Sequence, residues 1–222
     1  MLYHERDKKG GFQMENNRPM IAFLGSSVTY GHMTGGVSFV EVISELFPCG
    51  VDKEAVSGTT LCDDGPSSYV ERMERHFSLT EKIDHFVVQL STNDVSKKMP
   101  MGRISDSFDD KAFDRSTVLG SMEYIIFYIR KNYHCGITFY TNPWYDNPDY
   151  EAFIDRLYEL KKKWDFHILD FYHYRGMEPL SREVLSSYMA DPIHPNQQGY
   201  QWMGEVFLQH LKQVMKYNQL LL

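Results

Sequence analysis

Two short stretches of the sequence carry residue types that could perform covalent chemistry. The first is Gly25-Ser26-Ser27, which follows the apolar run from Met20 to Leu24. Such a run predicts a buried strand that ends in a turn. A serine just beyond the strand can present its hydroxyl at the edge of a sheet, so Ser27 is the candidate nucleophile. Gly-Ser-Ser is also a common turn composition, and a plain polar turn is the alternative interpretation.

The second stretch, Ala190-Asp191-Pro192-Ile193-His194-Pro195, offers the groups that a serine nucleophile needs. Such a serine requires a base that takes its proton and a third group that orients the base. The proline between Asp191 and His194 favours a turn that folds the carboxylate onto imidazole Nδ1, so that Nε2 faces Ser27. The alternative is a loop of Asp-Pro and His-Pro dipeptides ahead of a helix, with Asn196 as its cap.

Alternating strands and helices are predicted to position these two stretches. Short apolar runs predict strands, and apolar residues spaced three and four apart predict helices. The predicted strands are residues 20–24, 51–56, 83–90, 137–140 and 168–171, and the predicted helices are residues 38–47, 69–77, 117–132, 150–164 and 200–215. Strands that alternate with helices of this length indicate βαβ units, and therefore an α/β fold with a parallel sheet covered on both faces.

Small polar residues follow three of the predicted strands. These strand ends are Gly25-Ser26-Ser27, Ser57-Gly58-Thr59 and Ser91-Thr92-Asn93-Asp94. The carboxyl ends of parallel strands meet at one edge of a sheet, and α/β proteins bind their ligands there. The three strand ends are therefore expected to open onto a common rim.

The order and spacing of these residues resemble the SGNH (GDSL-type) hydrolase family. The resemblance rests on Gly-x-Ser-x-Thr at residues 25–29, on Gly58 and Asn93, and on Asp191-x-x-His194, and it extends across most of the chain. It implies a flavodoxin-like fold, which is a three-layer α/β/α sandwich with a central parallel sheet. It also implies an esterase or acylhydrolase activity that uses no cofactor.

The resemblance implies a role for each matched residue. Ser27 would be the nucleophile, His194 the general base and acid, and Asp191 the partner that orients His194. The backbone N–H groups of Ser27 and Gly58 and the side-chain amide of Asn93 would form the oxyanion hole. Glycine allows close approach to a backbone N–H, and an asparagine amide is a neutral donor. A turn glycine and an Asx-turn residue are the structural alternatives for Gly58 and Asn93.

Two positions depart from the family pattern. Ser26 stands where the family's Gly-Asp-Ser has aspartate, and Ser91 stands where its Gly-x-Asn-Asp has glycine. Neither position supplies a catalytic atom in this scheme, so the chemistry is expected to survive, while the subfamily and substrate stay open. Thr29 occupies the position of a glycine in the α/β-hydrolase elbow, which argues against that other serine-hydrolase family.

Further residues lie beside these motifs. Trp144 and Tyr145 follow the fourth predicted strand and are candidates to line a pocket for the acyl or sugar group, with loop packing as the alternative. Asp94 is expected to end its strand or to hold Asn93. His32, close after the nucleophile turn, is interpreted as a rim or surface residue because the sequence offers it no partner.

Composition argues against several kinds of partner and site. The net charge of −7 disfavours a nucleic-acid-binding surface. The sequence shows no run of about 18 apolar residues and no secretory signal, so we expect no membrane span and a cytoplasmic location. The cysteines form no C-x-x-C pair and the histidines no H-E-x-x-H motif, so Cys49, Cys62 and Cys135 are expected to be buried free thiols and no metal site is predicted.

The chain length of 222 residues suits one domain with its own core. Residues 19–222 are expected to form this domain, and residues 1–18, rich in charge, Gly and Asn, an N-terminal arm. The expected partner is a small-molecule ester, with an O-acetylated carbohydrate as the substrate class that the resemblance favours. The alternatives are an acyltransferase on the same scaffold, an acylhydrolase of the lipase or thioesterase type, and a noncatalytic binding module. The sequence makes no prediction of oligomeric state.

Overall fold

The computed structural model describes residues 18–219, with side chains as far as Met215. Within this range, five parallel strands form one sheet: β1 (Met20–Gly25), β2 (Gly50–Ala55), β3 (His85–Gln89), β4 (Gly136–Tyr140) and β5 (His167–Leu169). Their order in the sheet is β2-β1-β3-β4-β5. The N-terminal arm predicted over residues 1–18 lies outside the described residues except for Arg18, and the single-domain interpretation of residues 19–222 stays a prediction.

The same range contains eight α-helices. They are α1 (Ser27–Tyr30), α2 (Phe39–Leu46), α3 (Tyr69–His76), α4 (Thr92–Ser96), α5 (Val118–Tyr133), α6 (Pro148–Lys163), α7 (Arg182–Ser187) and α8 (Gln197–Gln219). Helices α3, α5 and α6 pack on one face of the sheet, and α2 and α8 pack on the other. The predicted three-layer α/β/α sandwich with a central parallel sheet is confirmed.

Side chains of β1 alternate between the two cores. Ala22 and Leu24 face α3, α5 and α6, whereas Ile21 and Phe23 face α2 and α8. All four are fully buried. A strand covered on both faces is apolar throughout, which explains why a continuous apolar run predicted this strand correctly.

The sequence missed three short helices, and two of them begin at the predicted strand ends. Ser27 opens α1 and Thr92 opens α4, so Ser27 and Asn93 lie in first helical turns instead of plain turns. Helices of four to six residues are too short to show apolar periodicity, and α7 was missed for the same reason. The five longer helices were predicted, with ends shifted by up to four residues.

The three cysteines differ in how deeply they are buried. Cys49, Cys62 and Cys135 are free thiols, but only Cys62 is fully buried, since Cys49 and Cys135 lie half-buried just before strands β2 and β4. The described side chains include no group of three or more His, Cys, Asp or Glu residues arranged to hold a metal ion. No helix between residues 18 and 219 is long and apolar enough to cross a membrane.

Three histidines lie together where β3 and β5 begin, at the end of the sheet opposite the predicted rim. His85 and His210 both hydrogen-bond the Thr138 hydroxyl, at 2.8 and 3.0 Å, and His167 lies beside both rings. Burial lowers the pKa of His85 to about 3 and the pKa of His210 to about 4. Both imidazoles are therefore uncharged at neutral pH.

We expect these histidines to make the protein lose stability in mild acid. In the unfolded chain they bind protons below about pH 6.5, but in the folded chain only near their lowered pKa values. The unfolded state therefore binds more protons in between, and stability falls as pH falls. His210→Gln should reduce the slope of unfolding free energy against pH, between about pH 6 and 4.5, by up to about 1.4 kcal/mol per pH unit. Urea unfolding at several pH values measures this slope, and equal slopes in both proteins would contradict the expectation.

Candidate active site

Ser27, His194 and Asp191 form a continuous hydrogen-bonded line beyond the carboxyl end of β1. Ser27 Oγ lies 2.8 Å from His194 Nε2, and His194 Nδ1 lies 2.7 Å from a carboxylate oxygen of Asp191. With the imidazole proton on Nδ1, the ring donates to Asp191 and accepts from the Ser27 hydroxyl. Three residues singled out from the sequence are thus in direct contact, although 167 positions separate Ser27 from His194.

Asp191 also holds His194 through the backbone. Its other carboxylate oxygen accepts hydrogen bonds from the N–H groups of Ile193 (2.8 Å) and His194 (2.7 Å). Burial alone would raise the pKa of Asp191, but the hydrogen bonds from the His194 ring and from these two backbone groups lower it overall. The carboxylate therefore stays ionised at neutral pH and fixes the orientation of the ring.

Asn142 fastens the turn that carries His194 to the sheet. Its side-chain amide donates to the Ile193 carbonyl at 2.8 Å, and its backbone N–H donates to the Tyr150 hydroxyl at 2.9 Å. The Tyr150 hydroxyl in turn donates to the Leu90 carbonyl, just after β3. These hydrogen bonds connect the loop before α8 to the ends of β3 and β4. The position of the His194 ring is therefore fixed relative to the sheet.

The turn that carries Ser27 requires a glycine immediately before it. A Cβ on Gly25 would lie 1.8 Å from Thr29 Oγ1, so only glycine lets the first turn of α1 fold back onto β1. Ser27 is the first residue of α1, so its backbone N–H has no hydrogen-bond acceptor within the helix. Ser27 is buried, with only 6% of its surface exposed.

Gly58, in the loop after β2, and Asn93, in the first turn of α4, lie at the same rim. Gly58 has a φ of +80°, in the left-handed region that favours glycine. The side-chain amide of Asn93 donates to the Thr59 carbonyl at 2.9 Å. An amide carries two hydrogens, and the same nitrogen also donates to the Ser91 hydroxyl at 3.4 Å, so Asn93 holds both the residue that follows Gly58 and the residue that caps α4.

Asp94 holds the loop after β2 in place through its buried carboxylate. Asp94 is buried, with 2% of its surface exposed, and its carboxylate accepts hydrogen bonds from the N–H groups of Leu61 (2.8 Å) and Cys62 (2.9 Å). Burial raises the pKa of Asp94 to about 6, against the opposing effect of these two bonds. The alternatives predicted for Asp94 were that it ends a strand or holds Asn93; it lies inside α4 and holds the loop instead.

Arg72 of α3 is a buried charged residue that the sequence did not reveal. Its guanidinium donates to the Gly25 carbonyl at 2.8 Å and to Thr59 Oγ1 at 3.0 Å, and it pairs with Glu54 at 2.9 Å. One side chain thus connects the turn before Ser27 to the loop after Gly58. The sequence gives no sign of this role, because Arg72 is one of two arginines in a helix rich in charged residues, where such residues ordinarily face solvent.

A cavity of about 400 Å³ lies beside the triad. Trp144 and Tyr145 line it together with residues of α7 and the loop before α8, namely Arg182, Leu185, Ser186, Met189, Ala190, Asp191 and Pro192, and with Asp146. The Arg182 guanidinium stacks over the Trp144 ring at 4.9 Å. The cavity meets the triad at Asp191, while Ser27 and His194 are not among the described residues that line it.

His32 lies on the rim, as the sequence interpretation expected. Its ring centroid is 5.3 Å from that of His194, and its Nδ1 is 3.4 Å from the Ser57 hydroxyl. The side chain is exposed. It therefore borders the site between the triad and the loop that contains Gly58.

The sequence profile of the GDSL-like lipase/acylhydrolase family matches residues 23–202. The chain belongs to this family. The matched range includes Ser27, Asp191 and His194 and the rim residues Gly58 and Asn93. A comparison with curated proteins found no match.

Several solved structures share the fold. A protein from Lactobacillus plantarum is 18% identical, with a TM-score of 0.71, over 88% of this chain and 97% of its own. A G-D-S-L family protein from Desulfitobacterium hafniense is 17% identical, with a TM-score of 0.67, over 86% and 99%. A family two carbohydrate esterase from Clostridium thermocellum, in complex with cellohexaose, is 16% identical, with a TM-score of 0.63, over 90% of this chain and 65% of that one.

Ser91, one of the two departures from the family pattern, has a defined structural role. Its hydroxyl accepts the Asn93 N–H at 3.1 Å, which caps α4, and donates to the Thr59 carbonyl at 3.1 Å. The serine that replaces the family's glycine therefore adds a bond between the start of α4 and the loop that carries Gly58.

We expect Asp94→Asn to destabilise the protein. The substitution places an NH₂ group against one of the two backbone N–H groups that the carboxylate accepts, and an unpaired buried N–H costs about 1–3 kcal/mol. Urea unfolding at neutral pH should show a loss of this size. Asp155→Asn, at an exposed position on α6, is the matched control and should leave stability unchanged. Equal stability of the two variants would contradict the anchoring role of Asp94.

Proposed function

We propose that the protein is a serine esterase that hydrolyses small acyl esters through an acyl-enzyme on Ser27. The observation that carries this proposal is the 2.8 Å contact between Ser27 Oγ and His194 Nε2, with Asp191 bound to the other ring nitrogen. This is the arrangement in which a neutral imidazole accepts a hydroxyl proton while a carboxylate stabilises the resulting imidazolium. Membership of an acylhydrolase family supports the same chemistry.

The proposed reaction has two halves. In the first, His194 takes the proton of Ser27 as Oγ attacks the ester carbonyl, and the resulting imidazolium gives that proton to the departing alcohol. In the second, His194 takes a proton from water, which attacks the acyl group, and returns the proton to Ser27 Oγ as the carboxylic acid leaves. Asp191 stays ionised throughout and keeps the ring in the required tautomer.

We assign the oxyanion hole to the N–H groups of Ser27 and Gly58 and to the Asn93 amide. All three lie at one rim of the sheet, Ser27 and Asn93 in first helical turns and Gly58 in a loop. The Asn93 amide is bonded to the carbonyl of Thr59, the residue after Gly58. Loops fixed by internal bonds hold donors in place before charge develops, which is what makes such donors effective. Loss of one donor of this kind typically lowers turnover by about 100- to 1000-fold.

The substrate class that we propose is an O-acetylated carbohydrate. The cavity that meets Asp191 has an aromatic wall, formed by Trp144 and Tyr145, on which a sugar ring can pack. Its volume of about 400 Å³ suits a group of sugar size. The structural similarity to a carbohydrate esterase in complex with cellohexaose supports this class.

Ser27→Ala should abolish hydrolysis of p-nitrophenyl acetate. Removal of the nucleophilic oxygen leaves only binding and the oxyanion donors, so kcat is expected to fall by at least about 1000-fold. Ser44→Ala is the matched control, because the Ser44 hydroxyl is exposed on α2 and contacts only the Glu41 carbonyl. A Ser27→Ala protein with the original rate would remove the proposed mechanism.

Trp144→Ala should weaken the binding of carbohydrate esters selectively. With the aromatic wall removed, we expect KM for an acetylated cello-oligosaccharide to rise about tenfold, which corresponds to about 1.4 kcal/mol. Turnover of p-nitrophenyl acetate should change by less than about twofold. Phe108→Ala is the control, because Phe108 is an aromatic residue that is 59% exposed and does not line the cavity. An unchanged KM would count against the sugar site.

A further inference from the structure

Gln89, the last residue of β3, lies fully buried beneath the turn that carries Ser27. Its amide oxygen is the acceptor for four donors on the two sides of the nucleophile. The Ser26 N–H and hydroxyl lie at 2.9 and 3.3 Å, and the Thr29 N–H and hydroxyl lie at 3.3 and 2.9 Å. Since two of these donors are backbone N–H groups, the atom that faces them is the oxygen and not the NH₂ group.

The oxygen of Gln89 replaces the usual cap of helix α1. The first N–H groups of a helix have no acceptor within it, and the residue before the helix commonly supplies one from its side chain. Ser38, Ser68, Thr117 and Asn147 do so for α2, α3, α5 and α6. Ser26 holds this position for α1, but its hydroxyl makes no such bond to any described residue of the helix. Gln89 supplies the acceptor from the neighbouring strand.

The network continues from Gln89 into the next strand. Gln89 and Tyr140 are neighbours in the β3–β4 register, and the Tyr140 hydroxyl lies 2.7 Å from Thr29 Oγ1. Because Thr29 gives its hydroxyl hydrogen to the Gln89 oxygen, Tyr140 must be the donor in this second bond. Two strands of the sheet therefore hold Thr29, two residues after Ser27.

The close approach of these groups depends on Gly25. A Cβ at that position would lie 1.8 Å from Thr29 Oγ1 and 3.0 Å from the Gln89 oxygen. The Gln89 nitrogen has no hydrogen-bond partner among the described residues. Burying an N–H donor without an acceptor costs free energy. The favourable contribution of Gln89 therefore comes from the hydrogen bonds that its oxygen accepts.

We propose that Gln89 is a positioning residue for the nucleophile. By accepting hydrogen bonds from Ser26 and Thr29 together, its oxygen fixes the backbone on both sides of Ser27, and with it the direction of Oγ toward His194 and of the Ser27 N–H toward the oxyanion. The inference rests on the proposed esterase function. It also gives Ser26 a role, since the serine that replaces the family's aspartate is bound to Gln89 through both its N–H and its hydroxyl.

The test is a substitution that removes the acceptor oxygen of Gln89 and keeps a side chain of similar volume. Gln89→Met should lower kcat for p-nitrophenyl acetate by about 10- to 100-fold, with KM within about twofold of the wild type, because positioning of Ser27 is lost and substrate contacts are kept. Val88→Ala, the adjacent buried residue of β3, should reduce stability without moving kcat. A kcat of Gln89→Met equal to that of the wild type, or reduced only as much as that of Val88→Ala, would overturn the proposal.

Amide hydrogen exchange measures the same contact independently of turnover. We expect the N–H groups of Ser26 and Thr29 to exchange at least about tenfold faster in Gln89→Met than in Val88→Ala, and equal rates would overturn the proposal. A wild-type protein that hydrolyses no ester would refute the proposed function, while the exchange rates would still decide the role of Gln89. Should Gln89→Met not fold, Thr29→Val removes one of the four donors. It is expected to lower kcat by about three- to tenfold at constant KM, and an unchanged kcat would overturn the proposal.

Discussion

The hydrogen bond between Ser27 Oγ and His194 Nε2 is the contact on which the rest of the site depends. It joins residues 167 positions apart, so it exists only because the sheet brings the end of β1 and the loop before α8 to one rim. Each partner is held separately. Asp191 and Asn142 fix the imidazole, and Gln89 fixes the turn of the serine. The site is therefore assembled by the fold before any substrate arrives.

Buried polar groups hold the loops of this rim together. Arg72 connects the Gly25 carbonyl to Thr59, and Asp94 binds the N–H groups that follow on the same loop. Such groups stabilise the protein only while every bond is made, because an unpaired charge in the interior is costly. The loops of the rim therefore hold their positions as part of the folded core. Distortion of one loop would leave a buried donor or acceptor without its partner.

The sequence predicted the fold well where the pattern was long, as in β1 with its continuous apolar run and in α5 with its helical spacing. It also named Ser27, Asp191 and His194, whose types and order carry the family pattern. It could not reveal Gln89 or Arg72, because each acts on partners far away in the chain, at separations of 60 to 63 and of 47 positions. Gln89 ends a short, mostly apolar strand and Arg72 lies in a helix rich in charged residues. Neither forms a local motif, and only the folded sheet identifies their partners.

The most direct measurement is to locate the covalent adduct formed with a fluorophosphonate. The protein is labelled, digested and analysed by peptide mass spectrometry, with His194→Ala labelled in parallel. We expect one adduct, on the peptide that contains Ser27 and at Ser27 itself, formed at least about 100-fold more slowly when His194 is replaced by alanine. An adduct on a different residue, or labelling of Ser27 at the same rate without His194, would contradict the claim that these two side chains work as a pair.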